Sequence, residues 1–146
     1  SLEPQVKWPN DIFCNGKKLT GILSEMEAES DRVAHLNIGI GINVNNDPTG
    51  RENGATSLQI LLGRRASRKD LLAAFLDEFE SLLGRDFTPI LAEWKKTSMT
   101  LNRQVKIVTI HDVYEGSARD VDDEGALILE EADGSRRRIL YGDCFH

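Results

Sequence analysis

Two short stretches of the chain carry residue types able to do chemistry. The first is Lys7-Trp8-Pro9-Asn10-Asp11, followed by Lys17-Lys18-Leu19-Thr20-Gly21-Ile22-Leu23. It brings lysine point charges and a carboxylate around one strand–turn–strand unit, beside a large aromatic. Such groups hold charged ligands and pass protons. For the WPND run taken alone, a plain turn bearing solvated charges is the simpler reading. The second stretch is Gly39-Ile40-Gly41-Ile42-Asn43. Glycine weakens a strand by removing packing and adding backbone entropy, so two on one face need a reason. Either a flat ligand lies close to the backbone, with Asn43 offering a donor and an acceptor at its edge, or another element packs tightly there. The residues leave both readings open. A dinucleotide fingerprint is excluded, because the glycines lie inside a strand, no third glycine follows in place, and Asn45-Asn46-Asp47-Pro48 is loop.

The elements that must position these residues follow from local rules. Pro9 fixes its own φ and drives Trp8 into an extended conformation, so the strand holding Lys7 ends there, and Asn10 and Asp11 suit a tight turn. Lys18 to Met26 reads as a strand, Glu27 to Arg32 as a charged loop, and Val33 to Val44 as a second long strand. In the latter, Ile38, Ile40, Ile42 and Val44 share a face expected in a core. Asn37, Gly39, Gly41 and Asn43 share the other. A regular strand turns Gly21 and Leu23 away from Lys18, so a shared role for the three needs backbone contact or a bulge. After a polar loop over 45–55, Thr56 is expected to cap a short helix over 57–62. Ser67 is expected to cap a longer one, with Asp70 at its third position and Leu71, Leu72, Phe75, Leu76, Phe79, Leu82 and Leu83 inward. Thr88-Pro89 opens a third helix that turns Ile90, Leu91 and Trp94 inward.

Beyond Thr100 the period becomes alternating. Strands are expected over 104–110, 113–121, 126–130 and 136–141, with turn compositions between them, which suggests a small twisted β-barrel. The domain boundary falls near 99–103, giving domains at 1–100 and 101–146. Arg136 and Arg138 would share a solvated face.

Composition narrows the class. With 40% apolar and 29% charged residues, the 146 residues make an ordinary globular chain of one domain plus a small appendage. A net charge of −6 and a pI near 5.1 argue against nucleic acid as the main partner. Two cysteines, Cys14 and Cys144, and three scattered histidines form no metal-ligand pattern, which points to a reduced, cytoplasmic protein. No apolar run is long enough to span a bilayer. Ser1-Leu2 could be an expression scar, with the natural protein continuing upstream.

KWPND, GKKLTGIL, NIGIGINVN, an ATSL helix start and the terminal DVDDEGALIL…GD segment, in this order, resemble biotin–protein ligases across essentially the whole chain. The resemblance implies an α+β fold. It would combine part of a class II synthetase-like catalytic core, a mixed or antiparallel sheet with packed helices, with a small barrel of the Src-homology-3 type. It also implies activation of biotin by ATP to biotinyl-5'-adenylate, with Mg2+ accompanying ATP, and transfer to a lysine of a carboxylase carrier domain. Lys18 matches the ligand-contacting lysine and Asp11 the aspartate that orients or deprotonates the incoming lysine. Gly39, Gly41 and Ile42 match the ligand floor, Asn43 the adenine contact, and Gly21 and Leu23 contacts to biotin. Lys7, Trp8 and Asn10 match groups that hold the turn.

The resemblance allows a homodimer and implies no membrane partner; DNA would need an N-terminal helical domain found in some relatives. The family's upstream glycine- and arginine-rich loop does not occur in these residues, so the chain alone is expected to be inactive. The alternative is a non-catalytic regulatory module that binds biotin or a carrier. A lipoate ligase is disfavoured by the terminal barrel.

Overall fold

The computed structural model describes residues 2–29, 32–50 and 52–146. Its elements are β1 (Pro4–Lys7), β2 (Asp11–Cys14), β3 (Lys17–Glu29), β4 (Arg32–Ile42), α1 (Leu58–Leu62), α2 (Arg68–Leu83), α3 (Phe87–Thr97), β5 (Gln104–Val108), β6 (Val113–Val121), β7 (Leu127–Glu130), β8 (Arg136–Ile139) and β9 (Asp143–Phe145). The fold class is α+β with antiparallel sheets, as expected. Contacts divide the chain into two units. One holds Ser1–Pro4 and Asn10–Arg68, the other Gln5–Pro9 and Lys69–His146. The WPND run therefore changes unit between Pro9 and Asn10.

In the first unit β2, β3 and β4 pair antiparallel. The strands run further into the expected 27–32 loop than the sequence suggests, since Glu27 still pairs with His35 and Glu29 with Arg32. The rest of that loop, Ser30 and Asp31, lies outside the described residues. The isoleucine face departs from expectation: Ile38 is 44% and Ile40 37% exposed, and Leu36 and Met26 are more open still. Alternation correctly put these residues on one side, and the end of that face is covered as expected, with Ile42 half-buried and Val44 buried. The polar loop after Ile42 is stitched down through Asn45, whose side-chain amide exchanges two hydrogen bonds with the backbone of Ala66 (2.8 and 2.9 Å). Ser57, not Thr56, caps α1: it has extended φ/ψ, and its Oγ accepts from Ile60 N at 3.4 Å. Gly63 closes that helix in the left-handed conformation.

In the second unit the five terminal strands pair in the order β8-β7-β6-β5-β9, the small barrel expected at this end. Val105, Ile107, Ala118, Val121, Leu127, Leu129, Ile139 and Cys144 alternate inward to form its core, and Trp8 is packed among them at 2% exposure. Trp8 is also held by polar contacts. Its backbone N donates to Thr100 Oγ1 (3.0 Å) and its indole N–H to the Gly125 carbonyl (3.1 Å). Gly116 is required where β6 meets β7, since a Cβ there would collide with the Glu130 carbonyl. Arg138 is not merely solvated as expected: it pairs with Asp122 (2.5 Å) and with Glu124, while Arg137 lies over the Tyr114 ring. The α2 face expected to pack inward is open, with Leu72 58% and Leu76 52% exposed and no residue of the helix buried. Phe75 and Phe79 instead stack on one another.

Candidate functional site

The site is assembled in the first unit where β2, β3 and β4 run side by side. Asp11 stands opposite Gly21, and Gly21 opposite Gly41; Leu23 stands opposite Gly39. Directly paired residues share a sheet face, so these five lie together. A β-bulge then changes what Lys18 can reach. Ile12 pairs with Thr20 but the next residue, Phe13, pairs with Lys18, leaving Leu19 as the extra residue. The shift moves Lys18 onto the face of Asp11 and Gly21. A regular strand would turn Gly21 and Leu23 away from Lys18; of the two ways round this, backbone contact or a bulge, the strand uses a bulge.

On this face Lys18 Nζ lies 3.0 Å from Asp11 Oδ1, with the two side chains 31% and 21% exposed. A Cβ placed on Gly21 would stand 3.4 Å from Asp11 Oδ1 and 3.6 Å from Lys18 Cε, so the ion pair sits directly against the bare backbone. Next to it lie Gly39 and Gly41. A Cβ at Gly41 would meet nothing nearer than the Gly21 carbonyl oxygen at 3.8 Å, and one at Gly39 nothing nearer than the Leu23 carbonyl oxygen at 3.7 Å. Both are ordinary contacts, so no close packing by the described residues demands glycine at either position. Tight packing by the described residues is therefore not the reason for glycine at these two positions.

Asn43 closes one end of this floor. Its backbone N donates to the Leu19 carbonyl (3.0 Å) and its own carbonyl accepts from Leu58 N at the start of α1 (2.9 Å). Asn46 Nδ2 donates to Asn43 Oδ1 (2.9 Å). Asn10 secures the turn at the other end. Its Nδ2 donates to the Ile22 carbonyl (2.5 Å), and its carbonyl accepts from Ile22 N (2.9 Å). Lys17 is exposed. Lys7 lies in the second unit, its ammonium 5.9 Å from the Phe145 ring centroid. Two side chains outside the expected set join the site: Asn46, and Glu52, whose Oε1 is 3.9 Å from Lys18 Nζ. Nothing in the polar loop's composition singled them out. Among the described residues no three His, Cys, Asp or Glu side chains are grouped to hold a metal ion, and no helix is long and apolar enough to cross a membrane.

An ammonium beside a carboxylate, on a strip of sheet without side chains and ended by an amide, suits a flat anionic ligand. Known proteins share this arrangement of sequence. Residues 3–43 match the model of the Biotin/lipoate A/B protein ligase family, and residues 100–146 that of the Biotin protein ligase C terminal domain. The chain is 37% identical over 144 residues to the bifunctional ligase/repressor BirA of Bacillus subtilis, covering 93% of this chain and 44% of that protein. It is 33% identical over 149 residues to the biotin–[acetyl-CoA-carboxylase] ligase of Mycobacterium tuberculosis, covering 99% of this chain and 53% of that one. The biotin protein ligase of Aquifex aeolicus in complex with biotin and ATP superposes with a TM-score of 0.78 at 25% identity, over 97% of this chain and 61% of that one. The chain belongs to the biotin–protein ligase family. It spans about half the length of the curated relatives it matches.

Proposed function

We propose that these residues are the part of a biotin–protein ligase that binds and activates biotin with ATP and transfers it to a lysine of a carboxylase carrier domain. The observation that carries this reading is the Lys18–Asp11 pair set against the Gly21, Gly39 and Gly41 floor. A biotin carboxylate and the α-phosphate of ATP repel one another, and a fixed ammonium between them offsets that repulsion. The carboxylate oxygen attacks the α-phosphorus, the bond to the β-phosphate breaks, and pyrophosphate leaves. The carrier amine then attacks the acyl carbon of biotinyl-5'-adenylate and AMP leaves with the bonding pair. An amine reaching a carbonyl polarised by Lys18 is also within reach of Asp11, 3.0 Å from that ammonium, which can orient it or take its proton.

Gly39, Gly41 and Ile42 would carry the ligand's flat surface, Asn43 would donate to adenine, and Gly21 and Leu23 would contact biotin. Lys7, Trp8 and Asn10 would hold the surrounding turn. Mg2+ would enter on the phosphates of ATP, since Mg2+ sites commonly combine one or two carboxylates with substrate phosphates. In this reading residues 1–100 are part of the catalytic domain and 101–146 its terminal barrel. The 146 residues by themselves bind biotin weakly, because the family's glycine- and arginine-rich loop is not among them.

The experiment uses the full-length protein and follows its two half-reactions separately. Lys18→Ala is expected to lose adenylate formation and ligand affinity by roughly tenfold to a hundredfold, the worth of a charge-assisted contact. Asp11→Asn is expected to lose more of transfer than of adenylate formation. Equal loss in both half-reactions would make Asp11 a structural partner of Lys18 and nothing more.

A further inference from the structure

The loop over 45–57 is fastened to Lys18 itself. Lys18 N donates to the Gly54 carbonyl (2.8 Å), and the Lys18 carbonyl accepts from Thr56 N (2.8 Å), so the loop lies parallel to β3 at this one residue. A turn closed by Ala55 N on the Glu52 carbonyl (3.2 Å) and by Glu52 N on the Pro48 carbonyl (3.0 Å) brings the Glu52 side chain back over the strand. Its carboxylate then shares the Lys18 ammonium with Asp11, at 3.9 Å against 3.0 Å. The two carboxylates are not equivalent. Asp11 is 21% exposed and set in a strand, whereas the Glu52 side chain is 55% exposed, on a loop, and has no other ion pair among the described residues. Two carboxylates around one ammonium leave a local charge of minus one at a place that must admit anions, and the weaker, more exposed partner yields first.

We propose that Glu52 is a displaceable counter-ion of Lys18: it occupies the ammonium in the empty site and is pushed off by the anionic group of the ligand. The inference rests on the ligand reading given above, and it makes Glu52 a residue that weakens and filters binding rather than one that assists it.

The test compares biotin with its uncharged amide on the full-length protein and its Glu52→Gln variant, by calorimetry at low and high salt. The variant is expected to bind biotin about 1.5- to fivefold more tightly at low salt, the span of exposed ion pairs, with the gain shrinking as salt rises. Affinity for the amide is expected to stay the same. In a Lys18→Met background the gain is expected to vanish, as a double-mutant cycle requires when the two residues act through one contact. Weaker biotin binding by the variant would overturn the proposal, and so would unchanged affinity or an equal gain for the amide. A wild-type protein that binds neither biotin nor biotinyl-adenylate would overturn the ligase reading itself; normal wild-type binding with an indifferent variant sinks only the role of Glu52.

Discussion

Replacing Gly41 by valine separates the two reasons a strand can contain glycine. A Cβ at that position meets nothing nearer than the Gly21 carbonyl oxygen at 3.8 Å, so the usual overpacking cost of about 1–3 kcal/mol does not arise. Removing a strand-interior glycine recovers about 0.5–1 kcal/mol of backbone entropy, and a β-branched side chain suits the pleat. The variant should therefore melt a few degrees higher or unchanged. Binding should behave oppositely. A ring resting on the peptide plane would be lifted by the valine methyls, which keep carbon atoms about 4 Å away. A lift of that size breaks the Asn43 hydrogen bond and much of the face contact. The expected loss is at least about 2.7 kcal/mol, roughly a hundredfold. Thermal melts and biotinyl-adenylate titrations of the full-length variant read both quantities. A protein that melts early yet binds normally while folded would refute the floor.

Two further predictions concern the second unit. Trp8→Ala should destabilise it by about 3–5 kcal/mol, since the ring is 2% exposed within the barrel core; Trp8→Phe should cost less, mainly the indole bond to Gly125. Chemical denaturation of both variants checks the order. Burial pushes the Cys144 thiol up to about 11, from an ordinary 9.0. The folded state thus keeps its proton where the unfolded chain has lost it, and this contribution is intact below about 9 and lost as pH rises towards about 11, on the order of 2 kcal/mol. Urea midpoints measured across that range should fall more steeply for the wild type than for Cys144→Ala.

Much of this was legible in the residues themselves. β1 ends at Lys7, just ahead of Trp8-Pro9 as expected, and alternation correctly sorted the isoleucines from the glycines of β4. The turns at Asp122–Gly125 and Asp133–Ser135 follow from side chains bonding their own backbone, as Asp122 does to Glu124 N and Ala126 N. A bulge or a backbone contact near Lys18 could be foreseen, but its place at Leu19 was not legible, because pairing register belongs to two strands at once and neither sequence alone contains it. Nor was Glu52: its reach to Lys18 depends on where the loop's backbone bonds land. Exposure of the isoleucine face and of α2 escaped periodicity for another reason. A pattern tells which residues share a side, not whether anything is present to lie against it.

The burial of Trp8 bears on how the molecule can be divided. The barrel strands begin only at Gln104, yet one of the most deeply buried rings in their core comes from the eighth residue of the chain. A fragment ending at residue 100 would keep that indole but lose Val105, Ile107 and Leu129 around it, presenting a large apolar ring to solvent. A fragment beginning at residue 101 would enclose a void of one tryptophan. Cutting between residues 100 and 101 therefore separates a plug from its socket, and the piece beginning at 101 should become well ordered only when a peptide spanning Gln5–Pro9 is supplied in trans.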